Sequence, residues 1–255
     1  GWTVAACDVG QGDALAVHTA DGQAIVLDTG PPGAGLSRCL RGLGVRHVPL
    51  AVLSHFHADH SGGLEELLAG WRVGTLLVQD TAAAGAAAAL ALAEAAGTAV
   101  HVARPGERLT VGGAVVEVVS PAPKAGAATA DGEESSAEND RSLAVRVEAD
   151  GLSLLATGDL EPAGQRAVLR QGADVKADIL KVPHHGSARQ DERFLAATEA
   201  KIALVSVGAG NTYGHPAAST LNRLDRLGMT VARTDQHGAV AVIRRDGALA
   251  VVSQR

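Results

Sequence analysis

Three histidines and an aspartate fall within six positions of this chain, in His55-Phe56-His57-Ala58-Asp59-His60, directly after the apolar run 48–53. Four such side chains cannot turn into an apolar core unpaired, because burying ionisable groups without partners costs several kcal/mol each. The run therefore reads as a buried strand that delivers its C-terminal end into a loop rich in imidazole and carboxylate. A rigid scaffold commonly presents a catalytic metal in this way. The fold must bring that loop to an edge where donors from distant sequence can meet it.

The rest of the chain alternates strands and helices. Strands are expected at 2–9, 14–17, 24–27, 48–53, 75–78, 99–103 and 114–119, with helices at 36–43, 62–69 (capped by Ser61) and 82–96. The stretch 120–138, rich in Pro, Gly, Ala, Ser and acidic residues, has no periodicity. It reads as a long mobile loop between two halves of comparable length. In the second half, strands are expected at 143–148, 152–156, 178–182 and 202–207, and helices at 160–170, 191–197 and 217–227. A hairpin of 239–244 and 248–253, turning at Asp246-Gly247, ends the chain. Aromatic residues make up only 2% of the 255, so the core has to be built from Val, Leu, Ile and Ala. The strand-rich openings of both halves need apolar partners, which two mixed sheets packed face to face, with helices outside, would provide. The expected fold class is α+β, a four-layer αββα sandwich in a single domain over 1–255.

A net charge of −6 argues against a broad surface for gripping long duplex nucleic acid. Contact with nucleic acid must then be local, or be made by another part of a larger protein. The sequence holds no run of 18 apolar residues and so no membrane span. It opens on Gly1-Trp2 without an initiating Met and reads as a domain excised from something longer. Cys7 and Cys39 are too few for a disulfide framework, and Cys7, in an apolar strand, reads as a small buried hydrophobe.

Polar residues collect in loop segments beside apolar strands: Asp28-Thr29-Gly30, the 55–60 cluster, Glu138-Asn139-Asp140, Thr157-Gly158-Asp159, His184-His185-Gly186 and Asn211–Pro216. If those strand ends share one edge, imidazoles and carboxylates converge there. The set resembles the metallo-β-lactamase superfamily. The H-x-H-x-D-H signature stands here as His55, His57, Asp59 and His60, the bridging aspartate matches Asp159, and the last histidine falls at the pair His184-His185. Three further segments resemble the soluble C-terminal domain of the ComEC family, the membrane channels that take up DNA in competent bacteria. They are Asp8-Val9-Gly10-Gln11-Gly12-Asp13, Lys181-Val182-Pro183-His184-His185-Gly186-Ser187 and Asn211-Thr212-Tyr213-Gly214-His215-Pro216.

The resemblance implies two divalent metal ions and hydrolytic activity. His55 and His57, pointing the same way along an extended loop, would serve one metal, Asp59 and His60 a second, and Asp159 would bridge them. One of His184 and His185 would complete the second site, while the other touches phosphate or protonates the leaving group. Asp28 would orient a ligand histidine from behind, and Asp13 would brace the metal loop beside the Gly10-Gln11-Gly12 turn. The superfamily's third-motif histidine is missing between His101 and His184, and Asn139 stands about where it belongs. An amide oxygen is a harder, weaker ligand than imidazole, so Mn²⁺ is favoured, with Zn²⁺ as the other candidate. His215 joins Asp59, His184 and His185 among the catalytic candidates. Lys181, Ser187, Asn211 and Tyr213 are candidates for binding substrate, with Arg141 a further phosphate contact. A turn fixed by Asn, Gly and Pro accounts for 211–216 equally well.

The implied function is a nuclease that degrades the non-imported DNA strand during uptake. It would work at the extracytoplasmic face of the cell membrane, as a soluble, monomeric domain tied to the channel portion of the same polypeptide. Two other readings stay open: hydrolysis of another ester, such as a phosphorylcholine or lactone bond, and a non-catalytic, metal-stabilised domain that guides DNA.

Overall fold

The computed structural model describes residues 1–120, 134–245 and 247–254. The strands among them are β1 (Trp2–Ala6), β2 (Leu15–Ala20), β3 (Gln23–Leu27), β4 (His47–Leu53), β5 (Arg72–Val78), β6 (Ala99–Val102), β7 (Arg108–Val111), β8 (Ala114–Ser120), β9 (Ala144–Ala149), β10 (Leu152–Ala156), β11 (Ile179–Lys181), β12 (Ile202–Val205), β13 (Thr230–Arg233), β14 (Val240–Arg245) and β15 (Ala248–Ser253). They form an eight-stranded sheet, β15-β14-β1-β2-β3-β4-β5-β6, and a seven-stranded sheet, β13-β12-β11-β10-β9-β8-β7. The helices are α1 (Leu36–Gly42), α2 (Ala58–Ser61), α3 (Leu64–Gly70), α4 (Ala86–Ala95), α5 (Glu134–Asn139), α6 (Pro162–Arg170), α7 (Glu192–Ala197), α8 (Ala218–Arg226) and α9 (Thr234–His237).

Alternation along each strand decides the layering. Leu15 and Val17 of β2 join Leu152 and Leu154 of β10 in an apolar layer between the sheets, whereas Ala14 and Ala16 turn to the opposite face. Leu36 and Leu40 of α1, Leu64 and Leu67 of α3, and Ala86 and Ala89 of α4 cover that outer face. The second sheet is covered in the same way. Leu155, Leu180 and Val205 face outward and pack against Val168 of α6, Phe194 and Leu195 of α7, and Leu224 of α8. Each fully buried leucine contributes roughly 1.5–3 kcal/mol. The result is the αββα sandwich that the strand and helix order implies. No helix among the described residues is long and apolar enough to cross a membrane.

Parallel pairing brings the chemistry to one edge. Strands β3 to β6 run parallel to one another, as do β10 to β13. Leu27 pairs with Val52 and Lys181 with Leu204, so the residues that follow β3, β4, β11 and β12 emerge together.

Some expected elements need correction. The stretch ending at Glu138 is not all loop, because Glu134–Asn139 form α5 and Ser120 closes β8. Ser120 is buried and its hydroxyl donates to the Ser142 carbonyl at 3.0 Å. The expected loop over 121–133, like Asp246 in the last turn, lies outside the described residues. β7 and β13, four residues each, are edge strands too short to show a clear period. The helix expected over 62–69 is α3, Leu64–Gly70, and a further helical turn, α2, precedes it inside the histidine motif. Ser61 is no cap, since its hydroxyl donates back to the carbonyls of Phe56 and His57 at 3.0 and 3.1 Å.

Cys7 is fully buried, but as half of a disulfide with Cys39 on α1. The bridge ties the end of β1 to the helix over the sheet's outer face. It closes a sequence separation of 32, which chain entropy equates to about 4 kcal/mol. Reduction with dithiothreitol is expected to lower the free energy of urea unfolding by about that amount. An unchanged midpoint would show that the two sulfurs are not joined.

Candidate metal centre

The candidate donors sit at the shared strand edge. Asp28 follows β3, residues 54–60 follow β4, Asp159 follows β10, and His184 and His185 follow β11. Asp28, His184 and His185 have left-handed backbones, with φ of 58°, 48° and 52°. Such conformations cost of order 1–3 kcal/mol each and persist only where surrounding contacts hold them. Glycine allows the tightest crossing: a Cβ at Gly12 would overlap the Asp59 carbonyl oxygen.

Asp59, His60, Asp159 and His185 each present one donor atom, all within 4.8 Å of one another. His60 Nε2 lies 3.2 Å from Asp159 Oδ1 and 3.7 Å from Asp59 Oδ2. His185 Nε2 lies 3.3 Å from Asp59 Oδ2 and 3.5 Å from Asp159 Oδ2. The atoms His60 Nε2, His185 Nε2 and Asp159 Oδ1 are buried and make no hydrogen bond. Buried polar atoms almost always do, so nitrogen and oxygen donors converging in this state fit a divalent cation.

The far sides of the rings are fixed. His60 Nδ1 donates to Asp28 Oδ2 at 2.9 Å, and His185 Nδ1 donates to the Ser206 carbonyl at 2.9 Å. In the neutral ring each bond keeps the proton on Nδ1, which leaves the Nε2 lone pair facing the cluster for a cation. Asp28 is held in turn by the Ser54 N–H and hydroxyl, both at 2.7 Å.

A second set of donors lies alongside. The His55 ring centroid is 4.1 Å from that of His60, and His55 Nε2 is 3.0 Å from His57 Nδ1. Two imidazole nitrogens at that distance share a proton or offer both lone pairs to a cation. His57 Nε2 pairs with Glu138 Oε2 at 3.1 Å. Asn139, the next residue, has a buried Oδ1 without a hydrogen bond. Glu138 was not among the expected site residues; its position beside Asn139 was the available signal. The motif is not extended throughout, because Asp59 and His60 lie on the helical turn α2. His184 is 23% exposed and turns Nδ1 toward Glu161 Oε1 at 3.2 Å and Nε2 toward Asp159 Oδ2 at 3.6 Å. The His215 ring packs against it, with centroids 5.2 Å apart.

Beneath the cluster lies Lys181, 1% exposed. Its ammonium is ion-paired with Asp13 Oδ2, donates to the Gly158 carbonyl at 2.9 Å and lies 3.8 Å from Asp159 Oδ1. Asp13 Oδ1 is 3.3 Å from His185 Nδ1, and the Asp13 N–H donates to the Asp59 carbonyl at 3.1 Å. Asp13, Asp28 and His60 also form a group of possible ligands, but the Lys181 ammonium already supplies its cation.

This burial overturns Lys181 as a substrate contact, since no phosphate reaches it. Ser187 is also withdrawn: it is 4% exposed, its hydroxyl accepts the Arg189 N–H and its carbonyl accepts the Thr220 hydroxyl. Asn211 spends its amide within its own loop. Nδ2 donates to the carbonyls of Gly208 and His215, and Oδ1 accepts from the N–H groups of Tyr213 and His215. Arg141 is paired with Asp80 at 3.0 Å. Tyr213 alone of that set stands in solvent, 71% exposed.

Charge in the cluster is dominated by the carboxylates. Complete burial pulls His60 down, but Asp159 and Asp28 overcome it and push its pKa up to about 10. Burial opposes charge on His185 too, and Asp159 and Asp13 hold it well above the ordinary imidazole range. For Asp159, burial is outweighed by His185 and His60, which drive the carboxyl well below its usual range. His55 is depressed by burial and by His60, whereas the hydrogen bond to Glu138 raises His57. Burial, then His184 and His185, lower His215 to about 4. Protons on His60 and His185 thus balance the carboxylates, and a divalent cation would replace them.

The sequence pattern of the metallo-beta-lactamase superfamily matches residues 7–208, and the chain belongs to that superfamily, whose members are generally metal-dependent hydrolases. It is 29% identical to ComE operon protein 3 of Bacillus subtilis (strain 168), over 91% of this chain and 32% of that protein. It is 30% identical to competence protein ComA of Neisseria gonorrhoeae, over 91% of this chain and 31% of that protein. The chain spans about a third of the length of these relatives. The crystal structure of the metallo-beta-lactamase fold protein YhfI from Bacillus subtilis superposes with a TM-score of 0.59 at 12% identity. It covers 91% of this chain and 96% of that one, a likeness of fold alone.

Proposed function

We propose that this chain is a metal-dependent phosphodiesterase that hydrolyses DNA, working as one part of a longer uptake protein and degrading the strand that is not imported. The observation that carries the proposal is the convergence of donors from Asp59, His60, Asp159 and His185, of which His60 Nε2, His185 Nε2 and Asp159 Oδ1 are buried and make no hydrogen bond. Similarity to two competence proteins favours DNA over other esters. The Cys7–Cys39 bond favours an extracytoplasmic position, since disulfides persist in oxidising compartments.

In this reading Asp59, His60, Asp159 and His185 would hold one cation, and His55, His57 and Asn139, together with Asp159, would hold the other. When bound, the two ions supply the charge that polarises a phosphate and activates water. Asp28 and the Ser206 carbonyl keep Nε2 of His60 and His185 free for metal, while Glu138 leaves Nδ1 of His57 free. His184, whose Nδ1 is turned toward Glu161 Oε1, stands beside the cluster to meet the phosphate or protonate the leaving oxygen.

With an amide oxygen from Asn139 in place of imidazole, Mn²⁺ is expected to support faster hydrolysis than Zn²⁺. The test is cleavage of single-stranded DNA by metal-stripped protein reloaded with Mn²⁺, Mg²⁺ or Zn²⁺, alongside elemental analysis. A strong zinc optimum would overturn the metal assignment. Absence of cleavage with every metal would overturn the nuclease reading.

A further inference from the structure

We infer that Tyr213 is a base-stacking platform beside the metal centre, and that the chain takes its nucleic acid as a single strand through an unpaired base. The inference deepens the nuclease reading and rests on it for the identity of the ligand. Tyr213 is the one tyrosine in a chain with two phenylalanines and two tryptophans. Phe56, Phe194 and Trp71 are buried, whereas Tyr213 is 71% exposed. An aromatic ring gains much from burial, and exposed aromatics are enriched where partners bind.

The loop that carries the ring is tied down. Asn211 ties the loop with four hydrogen bonds, two to carbonyls and two from N–H groups. Tyr213 lies over His215, with centroids 6.1 Å apart and planes 28° from parallel. His215 lies 6.3 Å from His185, with planes at 31°. Three rings, tilted from one to the next by 28° and 31°, thus step from solvent to a proposed metal ligand.

The charge distribution points the same way. The chain carries a net charge of −6, Lys181 is buried, Arg141 is paired with Asp80 and Arg189 with Glu161 at 3.1 Å. Apart from the metals, attraction for phosphate by these candidate side chains, of the kind that dominates most binding of nucleic acid, is therefore weak. Stacking on an aromatic face needs no net charge and accepts any base. A paired base has both faces covered by its neighbours, so the platform selects single strands.

The test titrates the metal-free 255-residue chain with three oligonucleotides of equal length. One is a single strand carrying 2-aminopurine, one is the same strand with abasic positions, and one is the duplex. The base-bearing single strand is expected to bind best, with quenched fluorescence. Tyr213→Ala is expected to weaken that binding about tenfold to a hundredfold and to abolish the quench, while Tyr213→Phe retains both. In the metal-loaded protein, Tyr213→Ala should raise KM more than it lowers kcat. Equal binding of base-bearing and abasic strands, including no binding of either, overturns the inference. So does wild-type affinity in Tyr213→Ala, or a preference for duplex. If no metal supports cleavage while the quench appears and vanishes with Tyr213→Ala, the nuclease reading falls and the stacking site stands.

Discussion

Lys181→Met is expected to destabilise the fold by about 3–5 kcal/mol, the loss seen when one partner of a buried ion pair is removed. Methionine matches the lysine stem in length, so the change removes charge and leaves packing nearly intact. Asp13 would then be a buried carboxylate without its ammonium, 1% exposed at the side chain. Complete burial alone would pull Lys181 down, but Asp13 and Asp159 hold its pKa above the usual lysine range, so the group is a permanent cation. Asp13→Asn added to Lys181→Met removes the stranded charge and should recover roughly 1–3 kcal/mol, a non-additivity typical of residues in one network. Urea unfolding of the two single variants and the double variant measures it. Strict additivity would mean that the ammonium and Asp13 do not depend on each other.

The layers of the fold were legible because buried strands alternate large residues toward one face and small ones toward the other, as in Ala14, Leu15, Ala16 and Val17. The signature residues were legible because ionisable side chains crowded behind an apolar run have few other places to go. What remained hidden depends on contacts between distant segments. Lys181 ends an apolar strand, where a lysine ordinarily reaches solvent, and only Asp13 and Asp159 make its burial tolerable. Spacing could not separate His184 from His185, because the distinction lies in the Ser206 carbonyl that receives His185 Nδ1 and in Glu161 beside His184. Cys7 and Cys39 are 32 positions apart, and only the docking of α1 on the β1 sheet puts their α-carbons 5.8 Å apart. In the last five residues of the 120–138 stretch, acidic composition read as loop conceals the start of α5, which carries Glu138 to His57.

Asp59→Ala should cut hydrolysis of single-stranded DNA by about a thousandfold or more and leave the fold intact. The magnitude follows from losing several kcal/mol of charge stabilisation, each 1.36 kcal/mol being tenfold in rate. The side chain of Asp59 is 35% exposed and faces His60 Nε2 and His185 Nε2, so its removal opens the metal set without stranding a buried charge. The structural contact of the residue is made by its backbone, whose carbonyl accepts the Asp13 N–H at 3.1 Å, and alanine keeps it. Asp159→Ala would mix the two effects, because that carboxylate also neighbours Lys181. A metal present at a hundred times its dissociation constant stabilises a folded protein by about 2.7 kcal/mol. Thermal unfolding with and without Mn²⁺ should therefore show a smaller metal-induced rise in Tm for Asp59→Ala than for the wild type, with equal Tm values in chelator. An Asp59→Ala protein that keeps its activity and its full metal-induced shift would remove Asp59 from the site.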